Sequence, residues 1–272
     1  MATHSPFNGG DMKKACTWFC DTTAELKKYR AMVFNNDAVI QAVSSRDYGN
    51  MALHTGDDRG QVNANRKSFL ESLHLKLENL VTAEQVHGTN IQIVSRKHFG
   101  SGAMSEQTAL PKTDALITGE KGVLLGIFTA DCLPIFIYDP ITPAIAIIHA
   151  GWRGTIAEIS RLVMDKMVQT FKTDPSNCFV AIGPSICSAC FEVSPEVADL
   201  FGKVNPETVI RKDAGFKVDL SGFNSCLFEQ AGVKPENIDV ANLCTGCRNE
   251  EFFSYRIEKG TKGRMMGIIA LQ

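Results

Sequence analysis

The chain has 272 residues, of which 44% are hydrophobic, so it can bury a substantial core as one large domain or two small ones. Its 28 basic and 30 acidic residues give a net charge of −2 and form no long run of one sign, which argues against nucleic acid and anionic membrane surfaces as partners. No apolar stretch approaches the ~20 residues that a membrane span needs.

Nine cysteines are spread along the chain, an odd number that suits reduced thiols or metal ligands better than a secreted disulfide framework. The N-terminus, MATHSPFNGGDMKKACTWFCDTT, lacks the apolar centre of a secretory signal. The composition therefore predicts a cytoplasmic, globular protein.

The first thirty residues are predicted to be an N-terminal extension, residues 1–30, that is partly disordered or helical. Residues 1–10 are polar and should be poorly ordered, and WFCDTTAELKKYR could form a short helix. Next, VIQAVSS predicts a strand, and VNANRKSFLESLHL predicts a helix with Asn63 as a plausible N-cap. No linker or internal repeat divides the remainder, so 31–272 is expected to form one domain.

Strand and helix patterns alternate through that domain. Helices are predicted after Arg153, from Ser194 and in SGFNSCLFEQAG. Further strands are predicted in IQIV, TDALITG, VLLGIFTA, AIAIIHA, FVAIG, IDVANL and MMGIIAL. The Gly-x-Gly-x-x-Gly turn of a dinucleotide-binding fold is missing, so the fold class is mixed α/β (α+β) without a nucleotide cofactor.

Potential metal ligands stand at the ends of predicted strands. Cys132 follows VLLGIFTA, His149 ends AIAIIHA, and His87 precedes a glycine in QVHG. Two imidazoles and one thiolate suit zinc, and three protein ligands leave a fourth position open, as in catalytic sites. The same residues could instead form a nucleophilic cysteine with an activating histidine, the other histidine being structural. Their spacing does not separate these hypotheses.

A second set of cysteines, Cys187-x-x-Cys190 and Cys244-x-x-Cys247, resembles on paper a four-thiolate zinc site. The interval between the pairs is longer than in a zinc ribbon, and it contains a predicted helix and strand. Tertiary structure would have to bring the pairs together, so two pairs of ordinary thiols is the favoured interpretation.

Arginines on three loops are candidates for anion binding, because guanidinium offers bidentate donors to phosphate or carboxylate. They are Arg46, Arg153 in the Gly151–Thr155 loop, and Arg256 in FFSYR. Each alone would ordinarily be a surface ion pair, and the sequence does not establish that they converge.

With QVHGTNI, TADCLPIFIYDP, IIHAGWRGT, AIGPSI, FEV and FFSYR in order between about residues 33 and 271, the chain resembles the YfiH family, also called the multicopper polyphenol oxidoreductase or laccase-domain family. The resemblance implies a single catalytic domain, 31–272, of two halves related by a pseudo-dyad in α-β-β-α layers. It also places the family's metal triad on His87, Cys132 and His149, with Zn²⁺ as the cofactor.

The resemblance implies phosphorolysis of adenosine, inosine, guanosine and methylthioadenosine to the base and (methylthio)ribose 1-phosphate, and deamination of adenosine to inosine. Asp131 and Asp114 become the candidate catalytic carboxylates, with Glu84 behind them. Phosphate would be held by the three arginines and by backbone N–H groups near Gly154.

Two segments depart from the family pattern. VSSRDYGN, residues 43–50, stands where members show Phe-Ser-Thr-Arg and a double glycine, and Ile257 stands where a second arginine is common. Both changes bear on substrate preference and anion contacts.

Three alternatives stay open. A copper-dependent polyphenol oxidase would need several copper ions, and one His-Cys-His set offers too few ligands for them. A cysteine hydrolase would use Cys132 and His149, and a non-catalytic module would bind zinc only for stability. The expected partners are purine nucleosides and phosphate, and neither nucleic acid nor a membrane is expected. The protein is expected to be a monomer or a small homo-oligomer.

Overall fold

The computed structural model describes residues 18–23, 25–34, 37–212 and 215–272. The expectation for residues 1–10 lies outside them. Two six-stranded sheets dominate the described part of the chain, and a small three-stranded sheet lies beside them.

The first sheet has the strand order β1-β2-β3-β15-β7-β4. Its strands are β1 (Trp18–Thr23), β2 (Leu26–Ala31), β3 (Val39–Ser44), β4 (Leu80–Val81), β7 (Leu124–Thr129) and β15 (Met265–Leu271). The predicted C-terminal strand MMGIIAL is confirmed as β15, which pairs antiparallel with both β3 and β7. Its central position explains why all seven residues are buried.

The second sheet has the order β14-β10-β8-β9-β6-β5. Its strands are β5 (Ile91–Ile93), β6 (Ala115–Thr118), β8 (Leu133–Asp139), β9 (Ala144–Ala150), β10 (Phe179–Ile182) and β14 (Ile238–Val240). The third sheet consists of β11 (Glu192–Val193), β12 (Val209–Lys212) and β13 (Gly215–Val218).

The helices are α1 (Arg59–Glu71), α2 (Trp152–Ile156), α3 (Ile159–Phe171), α4 (Pro195–Val204) and α5 (Leu220–Gln230). The helix expected from Ser194 is confirmed as α4, with Ser194 at its N-cap. None of the helices in the described ranges has the length and apolar character needed to cross a membrane.

Three apolar cores show how these elements are layered. In β8, Ile135 and Ile137 belong to the core shared with α3 and α5, whereas Phe136 and Tyr138 point into the core between the two large sheets. The outer face of the first sheet packs against α1. This is the α-β-β-α layering that the family resemblance implies. Successive side chains of a strand point to opposite faces of its sheet, so a strand such as β8 can be buried on both faces.

The helix expected within WFCDTTAELKKYR is wrong, because residues 18–23 and 26–31 form the paired strands of the antiparallel hairpin β1–β2. Strand β2 pairs with β3 and extends the first sheet, so this segment is part of the domain. Lys28 is almost fully buried there, and its ammonium lies 3.3 Å from the carboxylate of Asp21. Pairing with the open edge of β3 outweighs the helical preference of Glu, Leu and Lys.

Two helix boundaries also differ from the sequence prediction. Helix α1 begins at Arg59, and its N-cap is Asp58, whose carboxylate accepts the N–H of Gln61 at 2.7 Å. Asn63 therefore lies inside the helix. The loop expected over residues 151–155 contains the short helix α2, and the helix expected from Ile156 begins as α3 at Ile159, after Glu158 with its left-handed φ of 58°.

Candidate metal centre and cavity

The three predicted ligands meet where the chain passes between the large sheets. Cys132 lies in the short connection from β7 to β8, and His149 lies near the end of β9, opposite Pro134. His87 lies in the loop between β4 and β5. The candidate ligand atoms all lie within 4.8 Å of one another, although the residues are far apart in sequence.

The Asp114 carboxylate holds two of these ligands in place. It accepts backbone N–H groups from Val86, His87 and Gly88 at 3.3, 2.9 and 2.7 Å. It also lies 2.9 Å from Nδ1 of His149. Nε2 of His149 is thereby left to face the cluster, and the left-handed backbone of His87, with φ of 59°, is stabilised.

Glycines allow the ligands to approach so closely. A Cβ at Gly151 would lie 2.8 Å from Cδ2 of His87 and 3.2 Å from Sγ of Cys132. A Cβ at Gly154 would lie 3.1 Å from the carbonyl oxygen of Gly88. Larger residues at either position would push the His87 loop away from Cys132.

Cys132 and His149 are electrostatically coupled. Burial raises the pKa of the Cys132 thiol, but the His149 charge and hydrogen bonds from His149 and His87 outweigh it and lower the pKa to about 6. Burial lowers the pKa of His149, but the Cys132 thiolate and the hydrogen bond with Asp114 raise it to about 9. A thiolate ready to bind a cation therefore faces the two imidazoles.

Asp131 stabilises the segment that carries Cys132. Its Oδ1 accepts hydroxyl groups from Thr245 and Ser254, each at 2.7 Å, and its Oδ2 accepts the backbone N–H of Arg256 at 2.7 Å. Its own φ is 85°, in the left-handed region. The carboxylate thus joins the β7–β8 connection to two segments from the C-terminal part of the chain.

The triad opens into a cavity of about 510 Å³, a volume in the range of small-molecule sites. Its cationic groups are Arg153, Arg256 and Arg264, and Asp131 also lines it. The cavity also has aromatic lining residues, namely Phe128, Trp152, Phe191 and Tyr255. The lining residues include three guanidinium groups and one carboxylate, so the cavity is suited to an anion.

The arginine side chains are held by their neighbours. The Arg153 guanidinium lies 4.2 Å from the centroid of the Trp152 ring. The Arg256 guanidinium lies over Phe191, and its Nη1 donates to the carbonyl of Glu192 at 2.9 Å. These contacts orient the groups and leave other N–H donors for a ligand.

Other predicted site residues do not line this cavity. Arg46 lies over Phe253, donates to the carbonyl of Asn249, and pairs with Glu258 at 3.6 Å. Gly154 is buried in α2, where it lies close to the carbonyl oxygen of Gly88. Glu84 lines an adjoining cavity of about 520 Å³, and its carboxylate accepts the N–H of Lys112 at 3.2 Å.

Sequence reasoning did not assign Arg264 or Gln85 to the site, and it interpreted His54 as a structural histidine. All three line the triad cavity, and His54 and Gln85 also line the adjoining one. Burial, and then the charge of Arg264, lower the pKa of His54, which favours a neutral imidazole able to accept or donate a hydrogen bond. The position of Arg264 immediately before the buried β15 was the one available signal.

Fold and site together define a layered α/β protein whose His-Cys-His cluster, a set of residues suited to a metal, opens into a cationic cavity. Residues 38–272 match the model of the family described as multi-copper polyphenol oxidoreductase laccase. The chain belongs to this family.

Named relatives agree with that membership. The chain is 40% identical over 229 residues to purine nucleoside phosphorylase YlmD of Geobacillus stearothermophilus, covering 81% of this chain and 82% of the relative. It is 34% identical over 212 residues to adenosine deaminase RL5 of an unknown prokaryotic organism, covering 76% and 80%. The crystal structure of YfiH from Bacillus licheniformis superposes with a TM-score of 0.87 at 30% identity, covering 90% of this chain and 96% of that one.

Replacing Asp114 by Asn is expected to weaken the binding of added zinc, used as the probe metal, by roughly 10- to 100-fold, because the amide can no longer act as a charged acceptor for both His149 and the His87 loop. Competition with a chromophoric chelator measures the affinity. Asp139→Asn is the matched control, since that buried carboxylate also accepts backbone N–H groups, from Ile141 and Thr142, but lies at the other end of β8. Equal affinities of the two variants would contradict the positioning role.

In protein stripped of metal, alkylation of Cys132 by iodoacetamide should proceed at a nearly constant rate from pH 9 to pH 7 and fall to half near pH 6. The lowered pKa keeps the thiolate populated above that pH, whereas an ordinary cysteine loses it below about 8.5. Peptide mass spectrometry follows the rate at Cys132.

The companion variant His149→Gln removes the cation and should slow that alkylation at pH 7 by roughly tenfold or more, as the thiol pKa returns toward its ordinary value. A wild-type rate that already falls between pH 9 and pH 8 would show that Cys132 and His149 are not coupled in this way.

Proposed function

We propose that the protein is a zinc-dependent purine nucleoside enzyme. It would cleave adenosine, inosine, guanosine and methylthioadenosine with phosphate, and would also deaminate adenosine to inosine. The observation that carries the proposal is a three-ligand cluster opening into a cavity lined by three arginines. Family membership and the names of the relatives support the same class of substrate.

The donor set fits zinc. Two imidazoles and a thiolate are borderline-soft ligands, and three protein ligands leave one coordination position toward the cavity. When bound, zinc would act as a Lewis acid and would bring water toward a pKa near ~7. The remaining chemistry is assigned to groups of the chain.

Phosphorolysis requires phosphate to be held against the anomeric carbon of the ribose while the bond to the purine breaks. Arg153, Arg256 and Arg264 supply fixed positive charge for that anion. The aromatic side chains of the cavity offer faces against which a purine ring can stack. Arg46 and Gly154 are left out of this anion site because they do not line the cavity.

Both reactions need a proton carrier near the base. Asp131 is the carboxylate we assign to this role, because it lines the cavity and its Oδ2 accepts a single hydrogen bond, from Arg256. Asp114 is assigned a positioning role, since it is 1% exposed and engaged with His149 and three backbone N–H groups.

One observation favours a second candidate, a cysteine hydrolase. The order Asp114, His149, Cys132 resembles the orienting group, base and nucleophile of such enzymes, and the pKa of Cys132 is lowered. Activity that survives complete zinc removal but is lost on alkylation of Cys132 would support the hydrolase in place of the zinc enzyme.

Incubation of wild-type protein with adenosine and phosphate should yield adenine and ribose 1-phosphate, with inosine and hypoxanthine as the products of deamination. Mass spectrometry measures these products and their ratio, which ranks phosphorolysis against deamination. Cys132→Ser should yield none of them, because it removes the thiolate ligand. Wild-type protein that leaves adenosine, inosine and methylthioadenosine untouched, while oxidising a phenol after copper loading, would replace the proposal with the oxidase.

Arg153→Gln should raise the KM for phosphate by roughly tenfold or more, the loss expected for one charged hydrogen bond. Steady-state kinetics with varied phosphate measures it. Arg161→Gln is the matched control, because this α3 arginine pairs with Glu158 and Asp165 and does not line the cavity. Unchanged phosphate kinetics in Arg153→Gln would exclude Arg153 from the anion site.

A further inference from the structure

A second cluster of metal-ligating side chains lies outside the candidate active site. Cys187, Cys190, Cys244 and Cys247 place their sulfur atoms within 4.8 Å of one another. The long interval between the two Cys-x-x-Cys pairs argued against such a site from the sequence alone. The tertiary structure removes that objection.

Sheet topology explains how the pairs meet. Strands β10 and β14 are parallel neighbours, with Ala181 opposite Asp239. Each Cys-x-x-Cys segment follows one of these strands, so both leave the sheet at the same edge. A parallel bridge between Ser185 and Cys244 continues the pairing up to the cysteines.

The spacing of the sulfur atoms fits a tetrahedral ion. With Zn–S bonds of about 2.3 Å, the sulfurs of a tetrathiolate site lie roughly 3.8 Å apart. Sγ of Cys190 and Sγ of Cys247 are 3.4 Å apart, and the other pairs extend to 4.8 Å at most. The upper bound of 4.8 Å leaves room for the tetrahedral value, and the 3.4 Å separation exceeds the ~2.05 Å of a disulfide.

Backbone geometry also favours a thiolate at Cys244. The N–H groups of Cys187 and Cys247 point to Sγ of Cys244, with N–S distances of 3.3 and 3.4 Å. Each pair is closed by a turn, in which the N–H of Cys190 reaches the carbonyl of Cys187 and the N–H of Arg248 reaches that of Cys244. Donors aimed at sulfur offset part of the negative charge that four thiolates bring to one ion.

Gly246 fits tightly beside the cluster. A Cβ there would lie 3.5 Å from Sγ of Cys190 and 3.3 Å from a side-chain carbon of Ile257. A larger residue would therefore press mainly against Ile257 and would be in ordinary van der Waals contact with Cys190.

We propose that these four cysteines bind a structural zinc ion, separate from the ion assigned to His87, Cys132 and His149. Four thiolates complete the coordination of zinc and leave no position for water or substrate, so this ion stabilises the fold and takes no part in catalysis. The proposal does not rest on the nucleoside activity.

The site would stabilise one wall of the active-site cavity. The N–H of Ile186, next to Cys187, donates to the carbonyl of Asp131 at 3.0 Å, and the hydroxyl of Thr245, next to Cys244, donates to its carboxylate at 2.7 Å. Both cysteine loops thus contact the residue before Cys132. Zinc joining the two loops would hold that segment in place.

Metal counting by inductively coupled plasma mass spectrometry on the full chain, purified with zinc under reducing conditions, tests the proposal. Wild-type protein should hold two zinc ions per chain. Cys132→Ser and Cys247→Ser should each hold one, and the double variant none. Cys226→Ser is the matched control, a partly buried cysteine outside both clusters that should leave both ions bound.

A second measurement identifies the atoms that coordinate the zinc ion, independently of the number of ions bound. X-ray absorption at the zinc edge of Cys132→Ser should show only sulfur neighbours at about 2.3 Å. This measurement and the wild-type count keep the test valid even if Cys247→Ser does not fold.

Three results would overturn the proposal. The first is a single zinc in wild-type protein that disappears in Cys132→Ser. The second is alkylation of the unreduced, denatured chain at only seven of its nine cysteines, with Cys190 and Cys247 recovered as a disulfide. The third is nitrogen or oxygen in the zinc coordination sphere of Cys132→Ser.

Discussion

The Asp114 carboxylate is the contact on which the rest of the candidate active site depends. One buried group accepts three backbone N–H groups of the His87 loop and lies against Nδ1 of His149. It therefore fixes a loop in a left-handed conformation and the orientation of an imidazole at the same time. Without it, no single group would orient both histidines toward Cys132.

A second carboxylate, that of Asp131, plays the corresponding part for Cys132. Asp131 lies where the chain passes from the first large sheet to the second, and it binds Thr245, Ser254 and Arg256 from the C-terminal part of the chain. The site is thus built from segments that meet only because the two sheets pack face to face. The proposed zinc at the four cysteines would strengthen the same junction, since its loops contact Asp131 directly.

The charge of the cavity follows from a similar convergence. Arg153 follows β9, Arg256 lies in the FFSYR loop, and Arg264 precedes β15, yet all three line one cavity. Aromatic stacking and carbonyl contacts hold their planar groups in place. Arg46 has an aromatic neighbour too, but its guanidinium is engaged with Asn249 and Glu258 away from the cavity. Tertiary packing therefore decides which of these arginines face the cavity.

The sequence by itself determined the properties that depend on residue type and short-range pattern. Apolar runs predicted the central strands, ordered motifs indicated the family, and His87, Cys132 and His149 could be identified as candidate metal ligands from their residue types and motifs. Tertiary structure decided what depends on contacts distant in sequence. Those contacts are the β1–β2 hairpin, the positioning by Asp114, the position of Arg46 outside the cavity, and the meeting of four cysteines. Strand pairing and layer packing establish them, and neither is encoded in spacing along the chain.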